Sequence, residues 1–140
     1  MQVPTPDFRT LTELDHVRLQ NLIHRFPVDM SPGTADSLGA VIDNADLVSP
    51  EHVPADTVTM YSQVLIADSA SGVQSKLTLC YPHDAEPAKG FISILSPIGI
   101  SLIGLRVGTV ARWQGPDGHA ASAQLLAILF QPEASGDYLM

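Results

Sequence analysis

Two spacings of apolar residues divide the chain. In its first third, Leu19, Leu22, Ile23 and Phe26 recur at steps of three and four, which places them on one face of a helix. Thr10 and Glu13 stand at capping-box spacing and predict that this helix runs over 11–25. After Pro27, Pro32 and Gly33 the same spacing returns at Leu38, Val41, Ile42 and Ala45. Thr34 is the expected cap of this second helix, and Asp36 is placed to favour its positive end. Each helix would be about 18 to 23 Å long at 1.5 Å per residue. A short loop between two such helices makes an antiparallel hairpin. Pro50 and Pro54 mark 49–56 as a connector, so the expected division is a helical hairpin over 1–48 and a second part over 49–140.

From Thr57 the period falls to two. Val58, Met60, Val64 and Ile66 predict one strand with an irregularity at Ser62, and Asp68-Ser69-Ala70-Ser71-Gly72 a turn. Over 73–81, Leu77, Leu79 and Tyr81 alternate with Lys76, Thr78 and Cys80. A loop over 83–89 returns the chain to a strand at Phe91. Ser96 then caps a short apolar helix opened by Pro97 and ended by Gly104, and Gly108 bends the chain into a strand over 109–114. Pro116-Asp117-Gly118 is turn chemistry, so 109–114 and 120–130 form a hairpin. The expected class is α+β, with an antiparallel sheet curled around one short helix.

Ser96-Pro97-Ile98-Gly99, Leu102-Ile103-Gly104 and Val107-Gly108 together form a pattern that resembles the C-terminal domain of the bacterial GreA/GreB transcript-cleavage factors. Ser49-Pro50-Glu51, Pro54, Asp56-Thr57-Val58-Thr59-Met60, Leu79, Tyr81-Pro82 and the tail Gln131-Pro132-Glu133-Ala134, Gly136-Asp137-Tyr138-Leu139 look like the Rnk group, small Gre-like proteins named as regulators of nucleoside diphosphate kinase. The resemblance implies an FKBP-like fold for the second part and a coiled-coil hairpin before it. It also implies that RNA polymerase is the partner, gripped at the rim of its secondary channel by the strand-to-helix corner, here Ser93, Leu95, Ser96 and Pro97. Leu95 stands where some Gre factors carry an aspartate. Gre factors present two acidic residues at the hairpin tip to help hold the catalytic magnesium, a task suited to paired carboxylates. Here the loop 26–33 has one acid, Asp29. The expectation is therefore a polymerase-binding regulator of elongation that competes with the cleavage factors and has no cleavage-stimulating activity, no catalytic residues and no cofactor.

Composition narrows the partners. The chain has 140 residues, 45% of them hydrophobic, enough for one core. Its net charge is −8, and its seven Lys and Arg do not cluster. That argues against sequence-specific nucleic-acid binding through phosphate contacts. A single cysteine, Cys80, excludes an intramolecular disulfide and suits a reducing, cytoplasmic setting. Residues 1–9 show no secretory pattern, and the longest apolar tract, 91–105, is too interrupted to span a membrane. His83, Asp84 and Glu86 are ligand types without metal-site spacing, so no metal is expected. Cys80 serves as a nucleophile only if the fold brings His119 to it, and His16 and His24 read as surface histidines. Trp113, Tyr61 and Phe91 are candidates for an aromatic pocket, which keeps a peptidyl-prolyl isomerase as the alternative function, beside direct or indirect regulation of nucleoside diphosphate kinase.

Overall fold

The computed structural model describes residues 9–25, 32–115 and 118–136. The chain opens with a short strand, β1 (Thr10–Thr12), followed by α1 (Glu13–Arg25) and α2 (Pro32–Asn44), and then β2 (Asp46–Val48). β1 and β2 pair in parallel, Thr10 opposite Asp46 and Thr12 opposite Val48. The predicted helix start at residue 11 is therefore corrected. Thr10 donates its N–H to Gly104 O at 3.1 Å, and Leu11 and Thr12 are buried, so strand pairing holds these residues. The cap moves to Thr12, whose Oγ1 accepts the Asp15 N–H at 3.0 Å. α2 begins at Pro32, two residues ahead of the expected cap, with proline in the first turn where its missing N–H costs nothing. Asp36 consequently lies past the first turn.

The larger sheet contains β3 (Gln63–Asp68), β4 (Gln74–Cys80), β5 (Phe91–Ser93), β6 (Val110–Gln114) and β7 (Ala120–Phe130), in the order β5-β4-β3-β7-β6. The strand expected from Val58 onward begins only at Gln63. Before it, Val58 exchanges backbone hydrogen bonds with the chain at Gly104 and Leu105, both 2.8 Å. The Thr59 N–H then donates to Ser62 Oγ at 2.9 Å, closing a turn in which Tyr61 takes φ +65°. The alternation at Val58 and Met60 reported burial correctly, though not strand pairing.

Antiparallel pairing holds for β3 with β4, β3 with β7 and β6 with β7. β5 departs from it and runs parallel to β4, Leu79 opposite Ile92. Two single-turn 3-10 helices, Pro82–Asp84 and Pro87–Lys89, loop the chain back so that Phe91 starts opposite Thr78, and β5 pairs with the last three residues of β4. The helix expected at Ser96-Pro97 is α3 (Pro97–Leu102), and Gly104 after it takes φ +80°. One buried cluster joins Leu19 and Leu22 of α1, Leu38 and Ile42 of α2, Leu102 and Ile103 at α3, and Val64, Leu79 and Leu125 of the sheet.

Candidate functional site

The corner between β5 and α3 is built almost wholly from its own residues. Ser93 Oγ accepts the Leu95 N–H at 3.0 Å. The Ser93 carbonyl accepts both the Ser96 N–H at 3.0 Å and the Ser96 hydroxyl at 2.6 Å. Ser96 Oγ in turn accepts the Gly99 N–H at 3.1 Å, which makes Ser96 the helix cap. A Cβ on Gly99 would lie 2.2 Å from Ser93 O, so only glycine permits this approach of helix to strand. The Ser93 and Ser96 hydroxyls are thus engaged inside the chain. What the corner offers outward is the exposed Pro97 ring and the half-buried Leu95. Beside Pro97 opens a cleft of about 620 Å³. Ile100 and Ser101 of α3, Val41 of α2, Arg9, and Arg112 and Trp113 of β6 line it.

A second polar constellation links α1 to the rest. Asp15 is 2% exposed, and its Oδ2 accepts the Met60 N–H at 3.1 Å. Burial raises its carboxyl from the ordinary value to about 6; the Met60 and Thr12 hydrogen bonds and Arg18 oppose the rise, and the Glu133 charge adds to it. Glu133 itself accepts the Thr59 hydroxyl at 2.7 Å. Gln131 Nε2 donates to Pro54 O at 2.8 Å and Thr57 O at 2.7 Å, so the Gln131-Pro132-Glu133 motif latches the end of β7 onto the 54–59 segment. Exposed Arg106 and Asp56 pair at 3.0 Å on the same flank.

The chemical candidates disperse. Cys80 is buried and donates its Sγ–H to Ile92 O at 3.3 Å, and burial pushes its thiol up, the reverse of what activates a nucleophile. It stands at the end of β4, at the same end of the sheet as the last residues of β7, whereas His119 precedes the first, so the eleven-residue length of β7 separates them. His83 and Asp84 meet at 3.3 Å on the surface, but among the described residues no three His, Cys, Asp or Glu gather as a metal site would require. Tyr61 donates its hydroxyl to Asp84, and its own titration is pushed up to about 12 by burial first and that hydrogen bond second. Trp113 and Phe91 belong to the two opposite margins of the sheet, so the aromatic trio does not form one pocket. His16 is half-buried and His24 exposed. Asp29, the expected tip residue, lies outside the described residues, as do Asp137, Tyr138 and Leu139 of the tail motif.

In the sequence Gly99 stands out only as part of the Ser96-Pro97-Ile98-Gly99 motif, with no role of its own, and Asp15 not at all. For Gly99 the signal is a glycine two residues after a helix-opening proline. For Asp15 it is a carboxylate on the stripe Leu11, Leu19, Leu22, four residues from each of the first two.

The family model for the transcription elongation factor GreA/GreB C-terminal domain matches residues 53–130. The regulator of nucleoside diphosphate kinase of Escherichia coli K12 is 37% identical over 130 residues, covering 93% of this chain and 95% of that one. The transcription elongation factor GreA of Solidesulfovibrio magneticus is 37% identical over 83 residues, 59% of this chain and 50% of that one. Among solved structures, the prokaryotic transcription elongation factor GreA/GreB from Nitrosomonas europaea superposes with a TM-score of 0.73 at 33% identity, over 87% of this chain and 99% of that one. No described helix is long and apolar enough to cross a membrane. A family match across more than half of the chain, together with a relative alike over nearly all of it, makes this protein a member of the GreA/GreB transcription elongation factor family.

Proposed function

We propose that this protein binds RNA polymerase near its secondary channel through the β5–α3 corner and regulates elongation by competing with the Gre cleavage factors. The observation that carries the reading is the corner itself: Ser93, Ser96 and Gly99 fix it internally, and the exposed Pro97 with the half-buried Leu95 beside it makes a preformed surface. A contact that needs no ordering on binding keeps more of its interaction free energy. On this reading residues 1–48 form the antiparallel hairpin and 49–140 the FKBP-like docking part. The two helices of 13 residues each reach about 20 Å at 1.5 Å per residue, and the loop 26–33 supplies one carboxylate, Asp29. The protein therefore occupies the rim without assisting transcript cleavage, and it works in the cytoplasm.

The test is a titration of the protein against a Gre factor on RNA polymerase holding a stalled transcript. Displacement with loss of Gre-stimulated cleavage, and no cleavage by the protein alone, is the expected result. Pro97→Glu weakens that displacement. No binding to polymerase at micromolar concentration sinks the reading. A second reading, direct contact with nucleoside diphosphate kinase, is favoured by the name of the Escherichia coli relative, and co-sedimentation of the two purified proteins tests it.

A further inference from the structure

The two margins of the five-stranded sheet are finished differently. At β5 the chain closes its own edge: the Glu86 N–H donates to Phe91 O at 2.9 Å, and the Phe91 N–H donates to Glu86 O at 3.1 Å. At β6 nothing similar is present among the described residues. The register there fixes which groups are open. Gly115 N–H donates to His119 O and Leu125 N–H to Thr109 O, both at 2.9 Å, so the odd-numbered residues of this ladder face β7. Hydrogen-bonded and non-bonded pairs alternate along an antiparallel pair. Val110, Arg112 and Gln114 therefore turn their N–H and C=O groups away from the sheet.

Beside this open backbone runs the cleft of about 620 Å³, and a second hollow of about 400 Å³ continues along Arg112, Trp113 and Gln114 toward the start of β7. Charge selects the occupant. The whole chain carries 15 Asp and Glu against seven Lys and Arg, yet among the described residues the cleft is lined by Arg9 and Arg112 and by no carboxylate. Arg9 is held in place by its bonds to Ile100 O at 2.7 Å and Ile103 O at 2.9 Å, while Arg112 is exposed at the strand. Unpaired strand backbone asks for an extended chain, and alternate side chains of such a chain would meet the Trp113 face and the Arg112 face in turn.

We propose that β6 receives an extended acidic segment of a partner protein as a sixth strand, seated in the cleft between α2, α3 and β6. A second copy of this chain is the poorer occupant, because pairing β6 with β6 brings Arg112 of both copies onto adjoining strands.

Trp113 is the only tryptophan of the chain and reports on the cleft directly. The probe is an acetylated, amidated octapeptide of alternating valine and aspartate, titrated into the full-length protein at low salt. Expected are a saturable change in Trp113 emission at micromolar concentration and slowed hydrogen exchange at the Arg112 and Gln114 amides. Arg112→Glu weakens binding about ten-fold or more, equivalent to 1.4 kcal/mol, while Arg112→Lys retains most of it. The same peptide N-methylated at alternate residues, and a valine–lysine version, do not bind. Absence of saturation up to about 1 mM, where binding is worth only about 4 kcal/mol, overturns the proposal. Equal binding of the N-methylated peptide overturns it too, as does protection of both amides by self-association without peptide. Arg112→Glu leaves Pro97 and Leu95 untouched, so failure here and failure of polymerase docking are read separately.

Discussion

The β5–α3 corner and the helices α1 and α2 hold their shapes in different ways. Within seven residues, Ser93, Ser96 and Gly99 satisfy one another's hydrogen bonds and leave no room for one added carbon. The helices instead depend on partners far along the chain: Asp15 on Met60, and Leu19 and Leu38 on a core shared with the sheet. Their own Gly39 faces open space. The corner is thus intolerant locally, and the helices are tolerant locally but sensitive to what they dock against.

Two glycines and two polar residues put this contrast to the test. Gly99→Ala forces a Cβ against Ser93 O at 2.2 Å, and the strand end or helix must shift. A loss of more than about 3 kcal/mol in urea unfolding is expected; a near-neutral result would show the corner to be pliable. Asp15 comes next. Its native pKa of about 6 lies above the ordinary 3.8, so the folded state binds this proton more tightly than the unfolded state does. The stability owed to Asp15 is therefore full below about pH 4, is lost as pH rises through 6, and is lowest above about pH 7. Asp15→Asn removes that dependence while keeping an acceptor for Met60. The stability of the variant relative to the parent should rise by about 3 kcal/mol between pH 4 and pH 8, and a flat difference would mean that the buried carboxyl titrates normally. Ser96→Ala, losing the cap of α3, costs about 1 kcal/mol. The smallest effect is Gly39→Ala, in a helix with no neighbour within 4 Å; it stabilises by about 0.5 to 1 kcal/mol. Equal responses at Gly39 and Gly99 would erase the contrast between the two regions.

The same contrast decides what the sequence makes legible. Ser96, Pro97 and Gly104 announce α3 because cap, start and stop are adjacent in sequence. The turn after Asp68 reads equally well, since Asp68 Oδ1 accepts the N–H groups of Ala70 and Ser71. β1 is hidden because its partner, β2, comes after both helices, and three residues of strand look like the first turn of the helix they precede. β5 reads as a strand, but its parallel direction is set by the 3-10 turns at Pro82 and Pro87, which carry no periodic signal. Asp15 looks like a solvated helix acid until Met60 is seen above it. At the corner, the sequence names the residues without their internal work: Ser93 and Ser96 spend their hydroxyls on the fold, Ser93 on the Leu95 N–H and Ser96 on the Ser93 carbonyl and the Gly99 N–H.

The strand order bears on how the chain is made. β3 lies at the centre of the sheet and pairs on one side with β7, Val64 opposite Ile128. During translation at about 5 to 20 residues per second, those about 60 intervening residues take roughly 3 to 12 s to emerge. Through that interval β3 has only β4 beside it, and the backbone groups of its second edge wait unpaired. The newborn chain is most prone to stray pairing in those seconds, and the arrival of β7 ends them.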